Sequence, residues 1–114
     1  MARKKRSDRN HIIYQITNTV TKEIYIGVTV SDQRQYQKSL RSRWLRHIYK
    51  ANVLNANFTI SESIREHGPD VFEQNIIKIV RGKSAAFAFE AQLINEIKPE
   101  LNIRMQKRGI IEKL

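Results

Sequence analysis

His11-Ile12-Ile13-Tyr14-Gln15-Ile16-Thr17 and, after a polar connection, Glu23-Ile24-Tyr25-Ile26-Gly27-Val28-Thr29-Val30 decide the fold. Both segments are rich in β-branched and aromatic residues, which suit a pleated, half-buried surface. The connection Asn18-Thr19-Val20-Thr21-Lys22 is polar and opens on a turn former, so the pair predicts a β-hairpin over 11–17 and 23–30. Strand alternation puts Ile24, Ile26 and Val28 on one face and Tyr25, Gly27 and Thr29 on the other. A hairpin symmetric about Thr19-Val20 sets Tyr14 directly opposite Tyr25, with Cβ atoms about 4.5–5.5 Å apart. Two phenols then converge beside Gly27, whose missing Cβ leaves a shallow space for a substrate backbone. An ordinary cross-strand aromatic pair has the same pattern.

Beyond the hairpin, polar residues 31–38 read as a loop. A helix follows over about 37–54, with Leu40, Trp44, Leu45, Ile48, Ala51 and Leu54 near helical period and Arg43, Arg46, His47 and Lys50 on a different face. Thr59 with Glu62 three residues on is a capping-box pattern that opens a short helix, and Gly68-Pro69 ends it. Val71 to Val80 predict a third strand. Arg81-Gly82-Lys83 is a turn, Ser84 can cap a helix over 85–97, and Pro99 closes that helix. The order β-β-α-α-β-α describes an α+β domain: a small three-stranded, mostly antiparallel sheet flanked by helices. Residues 1–10 read as a disordered basic arm, 11–103 as the folded domain, and 104–114 as a basic tail or short helix.

The chain has 114 residues, 40% of them hydrophobic, which suffices for one modest core. No stretch reaches the ~18–20 apolar residues of a membrane span, and no signal peptide is visible, so a cytoplasmic, non-membrane protein is expected. Cysteine is absent, which removes disulfides and thiolate chemistry. His11, His47 and His67 are too dispersed to suggest zinc. Nothing points to a small organic cofactor. The net charge of +10 calls for a polyanion, and nucleic acid is the simplest. The cations cluster: Arg3, Lys4, Lys5 and Arg6 in the arm, with Arg9 after them; Arg34, Lys38, Arg41, Arg43, Arg46 and Lys50 in a stretch without acids; Arg104, Lys107 and Arg108 in the tail. Such stretches suit phosphate contacts.

Arg43 and His47 stand four apart on the first helix, where their side chains are neighbours. An arginine fork can hold a phosphate, and a histidine can trade a proton near neutral pH; a solvated helix face looks the same. Glu90 lies within Ala85-Ala86-Phe87-Ala88-Phe89-Glu90-Ala91-Gln92-Leu93-Ile94. A helix apolar nearly all round is buried, and a carboxylate there needs an arginine or a metal ion unless it faces water.

These pieces together resemble the GIY-YIG nuclease family. Ile12-Ile13-Tyr14 and Tyr25-Ile26-Gly27 are similar to the two halves of its signature. Arg43 with His47 resembles its helix motif, Glu90 its metal-binding glutamate, and Lys98-Pro99-Glu100-Leu101-Asn102 its closing motif, while Gly68-Pro69-Asp70-Val71-Phe72 resembles its approach to the third strand. The resemblance spans residues 11–103. It departs at Ile12, which replaces the first glycine of the signature, at Val28, where many members carry lysine, and in the longer loop before Arg43. It implies a DNA endonuclease with one Mg²⁺ (or Mn²⁺) on Glu90, Arg43 neutralising the phosphoryl oxygens, and water attacking in line. Tyr14 or Tyr25 would act as base, His47 would take the proton, and Asn102 would help orient water or phosphate. It also implies a homing, restriction, phage or mobile-element setting. One such site cuts one strand, so a double-strand cut would need a homo-oligomer or sequential nicks. The alternative is a nucleic-acid-binding module that keeps the fold without cutting. A third reading, a structural basic protein, gives no reason for a lone Glu90 in an apolar helix. Pro69-Asp70 with Glu96-Ile97-Lys98 spells the PD…ExK pattern of another nuclease class, but its second half falls at a helix end instead of on a strand.

Overall fold

The computed structural model describes residues 9–31 and 34–103. The hairpin forms as antiparallel β1 (Asn10–Asn18) and β2 (Ile24–Val30), so β1 starts inside the stretch read as an arm. Its register differs from the expected one: Tyr14 faces Gly27, and Tyr25 faces Ile16. Asn18 explains the difference. Its Oδ1 accepts from the N–H groups of Val20 at 2.9 Å and Thr21 at 3.2 Å, and its own N–H donates to the Glu23 carbonyl at 2.9 Å. Lys22 completes the turn at φ 71°. The hairpin therefore centres one residue later than Thr19-Val20, and each partner moves by two. A shift of two preserves the faces, so the two tyrosines still share one side as diagonal neighbours.

The third strand, β3 (Phe72–Arg81), lies antiparallel on the other side of β1, giving the order β2-β1-β3. Its pairing skips Ile77 between Ile13 and Tyr14. A bulge of this kind raises local twist and re-aims the adjoining side chain, and that side chain is Tyr14. On one sheet face, Ile12, Tyr14 and Ile16 pack with α1 (Tyr36–Asn52) and α2 (Thr59–His67) through Leu40, Trp44, Ala51, Ile60 and Ile64. On the opposite face, Ile13 and Ile26 pack on Ala86, Phe89, Leu93 and Ile94 of α3 (Lys83–Ile97). Short 3-10 turns at Pro69–Val71 and Glu100–Asn102 complete the chain. No described helix is long and apolar enough to cross a membrane.

Four local expectations are corrected. Thr59 is the first residue of α2 and Phe58 precedes it without a side-chain cap; the Thr59 hydroxyl donates to the Ile103 carbonyl instead of closing a capping box. Ser84 lies inside α3, which Gly82 opens at φ 95°. Leu45 and Leu54 are exposed. Finally, α3 is not buried all round: Ala86 is its one fully buried residue and Phe87 is 46% exposed, because a single sheet covers one side of it and the other, which includes Ala85, Ala88 and Ala91, faces outward.

Gly27 is required by close approach. A Cβ there would lie 2.5 Å from Cζ and Oη of Tyr14 and 2.8 Å from Cε2 of Tyr25. The space expected for a substrate is filled by the Tyr14 ring. Gly27→Ala is therefore expected to displace that ring and to cost about 1–3 kcal/mol, the usual range for overpacking, read from the denaturation midpoint. Asn18 is fully buried and also donates from Nδ2 to Ser63 Oγ at 3.0 Å. Asn18→Ala should cost about 1–3 kcal/mol by leaving buried partners unsatisfied; a change within a few tenths would refute its role in setting the turn.

Candidate active site

The Tyr14 hydroxyl is a meeting point. The Tyr14 residue is wholly buried; its oxygen lies 3.0 Å from His47 Nε2 and accepts from Arg43 Nε at 3.4 Å. The Tyr25 ring packs beside the Tyr14 ring, with centroids 6.2 Å apart. Strand β1 supplies Tyr14, β2 supplies Tyr25, and one turn of α1 supplies both Arg43 and His47. The rings pack closely: the His47 centroid is 5.1 Å from that of Tyr25, 6.1 Å from Tyr14 and 6.2 Å from Trp44. His47 is thus buried rather than part of the open basic face of α1. It follows Trp44 by three residues, which turns it toward the sheet.

Burial dominates the electrostatics. It pushes the Tyr14 phenol up, helped by Tyr25 and opposed by Arg43. It raises Tyr25 too, with Arg43 pulling down and Glu90 pushing up. Burial, then Arg43, then Lys50 depress His47 to about 3, because each disfavours an imidazolium. Glu90, half-buried on α3, is raised by burial and lowered by Arg43. So the carboxylate from one layer of the domain and the guanidinium from the other feel each other, with Tyr25 between them in the charge network. No three His, Cys, Asp or Glu residues cluster to hold a metal among the described residues; Glu90 is the acid within electrostatic reach of Arg43 and Tyr25.

Asn102 sits in the second 3-10 turn. Its Nδ2 donates to the Ile26 carbonyl and its Oδ1 accepts from the Ile26 N–H, both at 2.7 Å. Both ends of the amide are engaged on the backbone that joins Tyr25 to Gly27.

Arg43 separates two depressions. One, of about 460 Å³, is lined by Arg9, Lys38, Arg43 and Arg46, with Ser39 and Ser42. The other, of about 220 Å³, is lined by Tyr25, Arg43, His47, Lys50 and Phe58, among others. No carboxylate lines either one among the described residues. Of the expected phosphate-contacting residues, Lys38 and Arg46 line the first and Lys50 the second. Arg41 lines a separate hollow with Trp44 and Asp70, and Arg34 is exposed and lines neither depression. Arg3, Lys4, Lys5, Arg6, Arg104, Lys107 and Arg108 lie outside the described residues. Ser39, Ser42 and Phe58 are additions, and Arg9, read among the N-terminal cations, is placed on the first depression. The two serines could have been read from helical spacing, since positions 35, 38, 39, 42 and 46 form one stripe. Arg9 required the register, in which the Ser31 N–H donates to the Asn10 carbonyl at 2.8 Å and brings the strand ends together.

Comparison with known proteins agrees with this geometry. The family profile described as the GIY-YIG catalytic domain matches residues 10–102. A mutant catalytic domain of intron endonuclease I-TevI superposes with a TM-score of 0.63 at 25% identity, covering 83% of this chain and 91% of that one. The catalytic domain of homing endonuclease I-TevI superposes with a TM-score of 0.59 at 23% identity, covering 85% and 98%. A search of curated protein sequences returns no match. The chain belongs to the GIY-YIG family and carries its nuclease domain.

Proposed function

We propose that this chain is a metal-dependent DNA endonuclease that hydrolyses a phosphodiester bond held at Arg43 by tyrosine-assisted in-line attack of water. The observation that supports this most is the convergence of Arg43 and His47 on the buried Tyr14 hydroxyl, with the Tyr25 ring beside that of Tyr14 and the Glu90 carboxylate coupled to the same guanidinium.

GIY-YIG nucleases are generally metal-dependent. The donor chemistry here fits a hard ion: one half-buried carboxylate, partly open to water, with no histidine or thiolate set around it among the described residues. Mg²⁺ or Mn²⁺ accepts such a site because it retains several waters, whereas a zinc site would need more nitrogen or sulfur ligands. Glu90 would hold the ion, which when bound supplies charge neutralisation at the scissile phosphate and the leaving 3′ oxygen.

The chain's own residues carry the remaining steps. Arg43 binds the phosphate and offsets charge that grows on its oxygens. Tyr25 lines the open pocket while Tyr14 is fully buried, so Tyr25 is the phenol that meets the attacking water. Tyr14 and His47 lead the proton inward. With no substrate present, both phenols stay protonated and His47 stays neutral. A phosphate beside Arg43 and Lys50 cancels the two positive neighbours that hold His47 down, so substrate binding itself strengthens the proton acceptor. Asn102 positions the Tyr25 strand. Lys38, Arg46 and Arg9 hold flanking phosphates. DNA is the substrate class; the likeness to an intron homing endonuclease domain supports a mobile-element or phage setting.

Supercoiled plasmid is the direct test. Wild type is expected to nick or linearise it with Mg²⁺ and to stop when the metal is chelated. Glu90→Gln should abolish cutting while DNA binding persists, and Arg43→Ala should lower kcat by about 10²–10³, the range for one transition-state donor. Binding without cutting by the wild type would return the chain to a non-catalytic binding module. The ratio of nicked to linear product at rising protein concentration reports whether two copies act together.

The pH dependence of stability follows from His47. Its depressed value means that the unfolded chain takes up a proton near 6.5 that the folded chain refuses until about pH 3. The stability this contributes is present above about 6.5 and is lost as pH falls from there, at up to about 1.4 kcal/mol per unit. His47→Gln should flatten that slope between pH 6.5 and 5 in denaturation titrations; an unchanged slope would show that His47 is protonated in the folded state.

A further inference from the structure

The pocket of about 220 Å³ on the far side of Arg43 has no role in the chemistry above beyond its Tyr25 and His47 wall. The rest of its lining is mainly apolar, with Phe58, which is 40% exposed, Ile103, which is 61% exposed, and buried Ile60 and Leu101, beside Ser61 and Asn102. Its rim carries Arg43 and Lys50. The Lys50 ammonium is held below its usual range by burial and then by Arg43 and Arg46, which means that an anion at this rim would be welcomed. The cavity is smaller than the roughly 300 Å³ at which sites for whole small molecules begin, so it takes one ring system.

We propose that this pocket is a nucleobase site, in which the base of a nucleotide adjoining the scissile phosphate leaves the helical stack and lies against Phe58. The proposal rests on the nuclease reading and adds a substrate preference to it. Three features support a base over any other occupant. Arg43 lines both depressions, so a strand lying in the basic cleft with its phosphate at Arg43 continues into the pocket. The rim is cationic and the lining holds no carboxylate among the described residues, which matches a base carried on a phosphate backbone. The exposed aromatic ring offers the sequence-tolerant stacking surface that unstacked bases use. Extruding a base costs least where it is mismatched, damaged or already single-stranded, so the domain prefers DNA distorted or opened next to the cut.

The test is a double-substitution cycle on a duplex whose cut position has been mapped. Phe58→Ala is expected to lower kcat/KM about tenfold (about 1.4 kcal/mol) on intact DNA, and Phe58→Trp to restore it. An abasic residue at one nucleotide flanking the cut should produce a similar loss in the wild type, and Phe58→Ala should then add nothing. Equal losses from Phe58→Ala on intact DNA and on DNA abasic at each flanking position would overturn the proposal and leave the nuclease reading standing. A second readout does not depend on cutting: Glu90→Gln protein is titrated into a single-stranded oligonucleotide bearing 2-aminopurine. A fluorescence change that Phe58→Ala abolishes supports the base site; the same change in both proteins, or none in either, overturns it. A wild type that cuts nothing counts against the nuclease reading alone, and the titration still decides the pocket.

Discussion

The Tyr14 ring lies where a side chain on the neighbouring strand would have to be. Gly27 has no Cβ, and the phenol occupies that volume. Hydroxyl, imidazole and guanidinium can meet only because this ring reaches across β2 toward α1. Three other features hold the ring there. Asn18 sets the hairpin register that puts position 27 opposite position 14. The bulge at Ile77 re-aims Tyr14 from the β3 side. Trp44, whose ring centroid lies 6.2 Å from that of His47 and 5.4 Å from that of Phe72, packs beside the imidazole.

Dry surroundings then set the charge states. Two phenols and an imidazole lose hydration in one small volume, and each resists its charged form as a result. Arg43 pulls the phenols and Glu90 down and, together with Lys50, pushes the histidine down as well.

Much of this could be read from the residues. The hairpin strands, the three helices, and the shared faces of Tyr14 with Tyr25 and of Arg43 with His47 follow from alternation and helical spacing, because these periods fix which side chains lie together; that the two pairs meet is implied only by the family resemblance. The pairing of Tyr14 could not, since it depends on how Asn18 folds back on its own turn, and two residues of slip leave every face unchanged. The burial of His47 and the one-sided exposure of α3 depend on which layer lies opposite, which periodicity does not report. Apolar composition around Glu90 suggested full burial, yet alanines tolerate water at little cost and only one side of the helix meets the sheet. Asn102 lines the pocket with Tyr25, Arg43 and His47, but its engagement on Ile26 is a contact between positions 76 residues apart that only the tertiary fold creates.

That contact has a consequence for solubility. Strand β2 is an edge of the sheet, and an edge strand offers unpaired N–H and C=O groups to any passing extended chain. At Ile26 the Asn102 amide presents a donor and an acceptor side by side, as a neighbouring strand would, and so fills the place at which a foreign strand would begin to zip. The residue that braces the backbone beside Tyr25 therefore also shields this edge of the sheet from self-association.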